Sequence, residues 1–237
     1  MTTLLVALIV FAAIFTQGFL GFGLALVSMP LLVMAVGLPV ATPLVALVSV
    51  TAEVVLLLYY RAALNLRAVA RLTLASLPGI PLGVWLLRGL DEHLVLGVLG
   101  VIVAGYALYG LAAPRLPELR NPRWALGLGF VAGMLGGAYN TPGPPVIIYG
   151  TCRRWSPPEF KGNLQAFFIV NSVLVAVSHY LAGNITAPVI RYFLVALPAI
   201  GLGALAGFAL ERRVASERFH RLVLVALVGL GLSLLML

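Results

Sequence analysis

Charged residues are scarce in this sequence. Only 9% of its 237 residues are Asp, Glu, Lys or Arg, whereas a soluble domain usually carries about 25%. The hydrophobic share is 62% and the mean hydropathy is +1.11. This balance excludes an ordinary soluble protein and predicts an all-α polytopic membrane protein, whose surroundings are the lipid bilayer. The net charge of +8 does not indicate nucleic acid binding, because the basic residues form short clusters between apolar segments, as topology signals do.

Residues suited to catalysis or metal binding are also sparse. Cys152 is the single cysteine, which excludes an intrachain disulfide and a cysteine-based metal site. The sequence has no His-x-x-Glu-His helix, no acidic cluster and no usable Ser/His/Asp set, and Gly21-x-Gly23 does not follow a strand as a phosphate loop would. We therefore expect no enzyme, no metal and no cofactor. The first apolar run lacks a preceding basic segment, which predicts a membrane segment and not a cleaved signal peptide.

Two stretches interrupt the apolar runs. Residues 133–145 contain four glycines, three prolines and the polar trio Tyr139, Asn140 and Thr141, and residues 18–30 have a similar outline. Non-helical backbone survives at bilayer depth only where protein buries it or where it lines a cavity. Two broken segments in corresponding halves of a chain indicate a transporter binding site.

The two halves align as a repeat. At an offset of 115, Gly18, Gly21 and Pro30 match Gly133, Gly136 and Pro145. At an offset of 120, Arg71, Leu77, Pro78, Ile80 and Gly83 match Arg191, Leu197, Pro198, Ile200 and Gly203. Each half also has a glycine pair at helical spacing, Gly79/Gly83 and Gly203/Gly207, which favours close helix packing.

The distribution of charge predicts the orientation of the repeats. If each broken region enters and leaves on one side, the predicted loops of residues 61–71, 153–161 and 211–221 and the central linker lie on a single face. This face carries every Lys and Arg except Arg88 and Arg191, or 13 of 15, and is therefore cytoplasmic. The sequence then predicts two inverted-topology repeats, residues 1–113 and 124–237, joined by a cytoplasmic linker, residues 114–123. Each repeat is a broken or re-entrant helical hairpin plus three transmembrane helices. This arrangement has eight to ten segments and places both termini outside.

The paired motifs resemble a known family. Gly18-x-x-Gly21-x-Gly23 leading to Pro30, with Gly133-x-x-Gly136-Gly137 leading to Gly143-Pro144-Pro145, is similar to the signature of the sulfite exporter TauE/SafE family. The resemblance covers nearly the whole chain. It implies inverted repeats and the movement of small sulfur-containing anions, such as sulfite or organosulfonates, across the bacterial inner membrane. The sequence departs from the family pattern at Leu24 and Ala25 and at residues 139–142.

The broken regions are the candidate substrate site. Half-helix N-termini bind anions through exposed N–H groups and the positive end of the helix dipole. Helices restarting after Gly23 and after Gly143 would aim two such ends at the centre of the protein, where polar side chains would add donors. For the glycines alone, close packing explains the pattern equally well. The candidate substrate-binding residues are Gln17, Gly21, Gly23, Tyr139, Asn140, Thr141, Gln165 and Asn171.

Two ionisable residues are candidates for further roles. Glu53 is the only acidic residue well inside a span and shares a helix face with Ser49, so it is a candidate proton-coupling group. The alternative is a structural hydrogen bond from Glu53 to a neighbouring helix. Arg191 lies against the positive-inside trend and is a candidate for anion guidance. In the second half, Gln165, Ser172 and His179 repeat every seven residues, which predicts a polar stripe facing the interior.

These features favour a secondary transporter of a small anion, with sulfite or an organosulfonate implied by the family resemblance, working by alternating access. The alternative is a non-transporting membrane subunit or scaffold of a redox or sulfur-metabolism complex. The glycine-rich faces are compatible with a homodimer.

Overall fold

The computed structural model describes residues 2–86, 91–112, 117–211 and 216–236. These residues form ten α-helices and one 3₁₀ turn, Arg61–Ala63. The helices of the first half are α1 (Thr2–Leu20), α2 (Leu24–Val36), α3 (Leu38–Tyr60), α4 (Leu66–Leu86) and α5 (Glu92–Ala112). Those of the second half are α6 (Trp124–Tyr139), α7 (Gly143–Cys152), α8 (Pro157–Leu181), α9 (Ala187–Glu211) and α10 (Ser216–Leu234).

Six of these helices are long and apolar enough to cross a membrane, which confirms an all-helical, multi-pass membrane protein. Helices α2 and α7 are shorter, with 13 and 10 residues. At about 1.5 Å per residue neither reaches across a hydrocarbon layer of about 30 Å. Each half therefore begins with an interrupted pair of helices, followed by three further helices.

Both predicted breaks are present, and each has a local cause. Gly21 and Gly23 adopt φ angles of 86° and 114°, a region open to glycine, and α2 restarts at Leu24. In the second half Asn140 adopts a φ angle of 54°. Its N–H donates to the Gly136 carbonyl, and the Thr141 N–H donates to the Leu135 carbonyl at 3.2 Å, which closes the end of α6. Pro142, Pro144 and Pro145 then cannot continue the same hydrogen-bond ladder.

The two halves are interleaved, because the main helix pairs each join one helix from either half. Helix α1 of the first half packs on α9 of the second, and α6 of the second half packs on α4 of the first. Helix α3 pairs with α8, and α5 pairs with α10. Each helix has a counterpart five helices away in the other half, so that α1 corresponds to α6 and α4 to α9. Replacing every helix by its counterpart gives the same four pairings again.

Glycines allow the helices of the α4–α6 and α1–α9 pairs to pack closely. A Cβ added at Gly83 of α4 would meet the backbone of Met134 in α6, and one added at Gly207 would meet the backbone of Phe15 in α1. On α6, the glycines at 129, 133 and 137 lie against backbone carbonyls of α4, those of Leu72, Ser76 and Ile80. The packing interpretation of the glycine pairs is therefore the one these contacts support.

Two helices begin earlier than hydropathy suggests. The basic segment expected as a loop, residues 61–71, is helical from Leu66, because the Asn65 side chain accepts the Ala68 N–H at the start of α4. The polar segment of residues 153–161 likewise becomes helical at Pro157, so Lys161 belongs to α8. The expected loop residues Arg88, Arg115, Arg212 and Arg213 lie outside the described part of the chain, as does the beginning of the predicted linker.

The early start of α8 brings Lys161 under the end of α1. Its Nζ donates to the Phe19 carbonyl and pairs with Glu211 Oε1, both at 2.7 Å. The Tyr60 hydroxyl lies 2.8 Å from Glu211 Oε2 and 3.1 Å from the Gly18 carbonyl. The terminal carbonyls of α1, which have no partner within their own helix, are thus satisfied by side chains from α3 and α8.

Candidate functional site

A small pocket with a cavity volume of about 30 Å³ lies between the two breaks. One wall is the first break and the start of α2, residues 22–26, and another is the second break, residues 140–143. The remaining lining residues are Gln17, Ser49, Glu53, Phe168 and Ser172. A cavity of this volume has room for a water-sized guest, so a larger ligand requires the pocket walls to move apart.

The start of α2 presents backbone donors to this pocket. The Leu24 N–H donates to Gln17 Oε1 at 3.0 Å, and the Val27 N–H donates to the Gly23 carbonyl at 2.9 Å. The described structure gives the N–H groups of Ala25 and Leu26 no acceptor. Two donors at the positive end of a helix therefore face a cavity, which is an arrangement that suits an anion.

The start of α7 differs from the second anion-binding helix N-terminus that the sequence predicts. The helix begins Gly143-Pro144-Pro145, so two of its first three residues have no N–H to offer. The donor from this break is a side chain instead. Thr141 is 1% exposed, lines the pocket, and its hydroxyl has no hydrogen-bond partner. A buried hydroxyl without a partner is costly, and a ligand oxygen in the pocket would relieve that cost.

Asn140 lines the pocket but is partly engaged elsewhere. Its Nδ2 donates to the Thr42 carbonyl near the start of α3 at 3.1 Å. This bond ties the second break to α3, and it leaves Thr141 as the less constrained donor of the pair.

Gln17 and Gln165 brace the first break. Gln17 Nε2 donates to Gln165 Oε1 at 3.2 Å, and Gln165 Nε2 donates to the Gly21 carbonyl at 2.7 Å. Gln17 also caps Leu24, so both of its polar atoms are engaged. Gln165 is fully buried and does not line the pocket. The pair therefore holds the backbone donors of α2 in place.

Glu53 lies in the pocket wall, at the middle of α3. It is 4% exposed, and its Oε2 has no hydrogen-bond partner. The Ser172 hydroxyl of α8 lies beside the carboxyl group, and Ser49 lines the same wall one turn earlier on α3. The predicted helix face with Ser49 and Glu53 is thus turned toward the pocket.

Five predicted site residues do not line the pocket: Gly21 and Gln165, which belong to the braced first break, and Tyr139, Asn171 and Arg191. Tyr139 is buried just before the second break. Asn171 donates to Ser76 Oγ at 3.1 Å and lies against Gly136, where it joins α8 to α4 and α6. Arg191 is exposed and lines a separate surface depression with Ala187, Pro188 and Tyr192.

The pocket also contains residues that the sequence did not single out as binding residues. Phe168 and Phe22 provide aromatic surface, and Ser49 and Ser172 provide hydroxyl groups. Phe168 lies three residues after Gln165 and four before Ser172, so helical spacing places it on the predicted polar stripe. That spacing was the available signal. Among the described residues no group of three or more His, Cys, Asp and Glu is arranged to hold a metal ion.

Comparison with known proteins agrees with the motif resemblance. The family model described as Sulfite exporter TauE/SafE matches residues 5–234. A relative from Cupriavidus necator, named probable sulfite/organosulfonate exporter TauE, is 28% identical over 233 residues, which cover 95% of this chain and 90% of the relative. A relative from Comamonas testosteroni, named probable inner membrane transporter protein TsaS, is 29% identical over 167 residues, covering 68% of this chain and 70% of the relative. No solved structure matches.

Proposed function

Because this chain belongs to the sulfite exporter TauE/SafE family, we propose that it is a secondary transporter that moves sulfite or an organosulfonate across the bacterial inner membrane. The protein is a multi-pass membrane protein of a transporter family. The proposed substrate class follows the family description and the relative from Cupriavidus necator, which is named a probable sulfite/organosulfonate exporter. The pocket between the breaks is the proposed substrate site.

The observation that carries this proposal is that several hydrogen-bond donors without an acceptor line one small buried pocket. The N–H groups of Ala25 and Leu26 and the hydroxyl of Thr141 have no acceptor among the described residues, and all three residues line the pocket. A sulfonate or sulfite group has three oxygens that accept hydrogen bonds. In a site away from water, such donors would replace its hydration shell.

The proposed mechanism is alternating access between two inverted repeats, residues 1–113 and 124–237, with the linker of residues 114–123 on the cytoplasmic side. It is supported by the matching helix order of the two halves and by the exchange pattern of their packing. The pocket lies where the two breaks and the α3–α8 pair meet, so movement of the packed helix pairs against each other would open it to alternate sides. Glu53 is the proposed proton-coupling residue, while anion guidance by Arg191 and a homodimer remain predictions.

Flux through the purified protein tests this function. In proteoliposomes we expect efflux of labelled sulfite and methanesulfonate above the rate of empty vesicles. Thr141→Val should reduce the apparent affinity about tenfold or more, because a hydrogen bond to a charged group contributes about 1.5–3 kcal/mol.

Thr151→Val is the matched control for this experiment. Its hydroxyl donates to the Ile147 carbonyl within α7, and it does not line the pocket. The control should keep wild-type flux. Absence of flux for every sulfur anion would contradict transport and favour a non-transporting membrane subunit.

A further inference from the structure

The pocket between the breaks has an unusual charge balance for an anion site. Its lining contains no Lys, Arg or His, and its one ionisable side chain is the carboxyl of Glu53. The available donors are neutral: backbone N–H groups, the Asn140 amide, and the hydroxyls of Ser49, Thr141 and Ser172. Whatever anion binds here is held without a compensating cation from the lining.

Charged groups on the helices packed against α3 do not change this balance. Helices α1 and α2 contain no charged residue. On α8, Lys161 is paired with Glu211 and Glu159 accepts a hydrogen bond from Asn65 near one end, and His179 contacts the Asn184 side chain near the other. On α9, Glu211 is the last residue and Arg191 is exposed near the start. Tyr60 of α3 and Arg61 lie at the end of α3 that carries the Lys161–Glu211 pair.

Electrostatics then restrict the ligand. The cost of removing an ion from water increases with the square of its charge, so a dianion costs about four times as much to bury as a monoanion of similar size. Neutral donors offset this cost only in part. A carboxylate at Glu53 would repel the ligand further, whereas a protonated Glu53 would add a donor whose Oε2 has no other partner.

We propose that this pocket selects monovalent oxyanions, in the form of an organosulfonate or hydrogensulfite, and that Glu53 binds them as a protonated hydrogen-bond donor. The inference rests on the proposed transport of a sulfur anion and names the charge state that the site accepts. The side chains of Phe22, Leu24, Leu26 and Phe168 form the apolar part of the lining. They suit the short organic substituent of a sulfonate, while the sulfonate oxygens face the neutral donors.

Calorimetry on the purified full-length protein tests the selectivity. Methanesulfonate remains a monoanion at every working pH, and sulfate is a dianion of similar size. At mildly acidic pH we expect methanesulfonate to bind at least tenfold more tightly than sulfate. As the pH is raised, the affinity for methanesulfonate should fall, by at most about tenfold per pH unit because one proton is linked to binding.

Glu53→Gln isolates the contribution of the carboxyl group. Glutamine keeps a donor and cannot become charged, so the variant should bind methanesulfonate with an affinity that no longer depends on pH. Glu159→Gln, a change at the start of α8 away from the pocket, is the matched control and should keep the wild-type pH dependence. If Glu53→Gln does not fold, the wild-type comparison of the two anions and its pH series decide alone.

The outcomes separate this inference from the proposed function. Equal affinity for sulfate and methanesulfonate would overturn the charge selectivity. A wild-type affinity that stays constant from acidic to alkaline pH would overturn the role of Glu53 as a protonated donor. Either result leaves sulfur-anion transport standing. Absence of binding for methanesulfonate, sulfite and sulfate alike would overturn the proposed function, and this inference with it.

Discussion

At the scale of single residues, unused hydrogen-bonding capacity distinguishes the polar side chains proposed to bind a ligand from those that hold the fold. Gln17 and Thr141 are both buried, and both line the pocket. Gln17 uses its amide to cap Leu24 and to reach Gln165, whereas the Thr141 hydroxyl has no partner. Both were predicted as substrate-binding residues, since the sequence shows that a side chain is polar and does not show which atoms are already satisfied.

Replacing Gln17 by Leu should therefore destabilise the protein. The change removes the acceptor of the Leu24 N–H and one partner of Gln165, and each buried polar group left unsatisfied costs about 1–3 kcal/mol. Thermal unfolding in detergent measures the loss. A double-mutant cycle with Gln165→Leu should show a coupling of about 0.5–3 kcal/mol, because the two side chains are in contact.

Thr51→Val is the control for this measurement, since the Thr51 hydroxyl donates only to the Leu47 carbonyl within α3. It should unfold close to the wild-type temperature. A Gln17→Leu protein with unchanged stability and lost anion affinity would instead make Gln17 a direct substrate ligand.

At the scale of helices, the glycines of α6 have two distinct environments. Gly133 lies against the backbone of Ser76 in α4, where an added Cβ would overlap the carbonyl group. Gly127, on the same helix, faces open space. Position on the helix, and not glycine content alone, decides what a methyl group would do.

Gly133→Ala should lower stability by about 1–3 kcal/mol, because the α4–α6 pair must separate to admit the methyl group. Gly127→Ala should leave stability unchanged or raise it by up to about 1 kcal/mol, since alanine favours the helix. Unfolding curves of the two variants, recorded side by side, make the comparison. Equal effects at both positions would contradict a close-packing role for the α6 glycines.

The breaks could be predicted from sequence, but some helix ends could not. Gly21, Gly23 and the prolines after Asn140 restrict the backbone locally, so their effect does not depend on distant contacts. The start of α8 depends on Pro157 and on the contacts of Lys161 with α1 and α9. Hydropathy ends a span at the first charged residues, which is why Lys161 was expected in a loop.

The pocket residues also divide into those that the sequence predicts and those that depend on packing. Glu53, Asn140 and Thr141 were predicted from the rarity of polar groups in membrane segments, and all three line it. Phe168 was missed because it is not polar, although its helical spacing from Gln165 and Ser172 places it on the predicted polar stripe. Tyr139 and Asn171 were predicted from their neighbours in sequence, yet neither lines the pocket, and Asn171 instead donates to Ser76.

At the scale of the whole molecule, each half depends on the other for its packing. The first helix of either half, α1 or α6, packs on the fourth helix of the opposite half, α9 or α4. The glycine faces that allow these contacts lie directly against the backbone of the partner helix, and this close packing has no equivalent with lipid tails. The pocket likewise draws its lining from both breaks, so neither half contains a complete site.

The chain cut at the predicted boundary should therefore function only when both parts are present. Residues 1–113 and 114–237, produced separately, should accumulate poorly, because each would expose a close-packing face and the buried polar groups of its break. Produced together, they should associate through the α1–α9 and α4–α6 pairs and recover sulfite flux. The amounts of each fragment in membranes and the flux of the copurified pair measure this. Gly133→Ala in the second fragment should weaken the association, whereas Gly127→Ala should not. A first fragment that is stable and monodisperse without its partner would contradict the dependence of each half on the other.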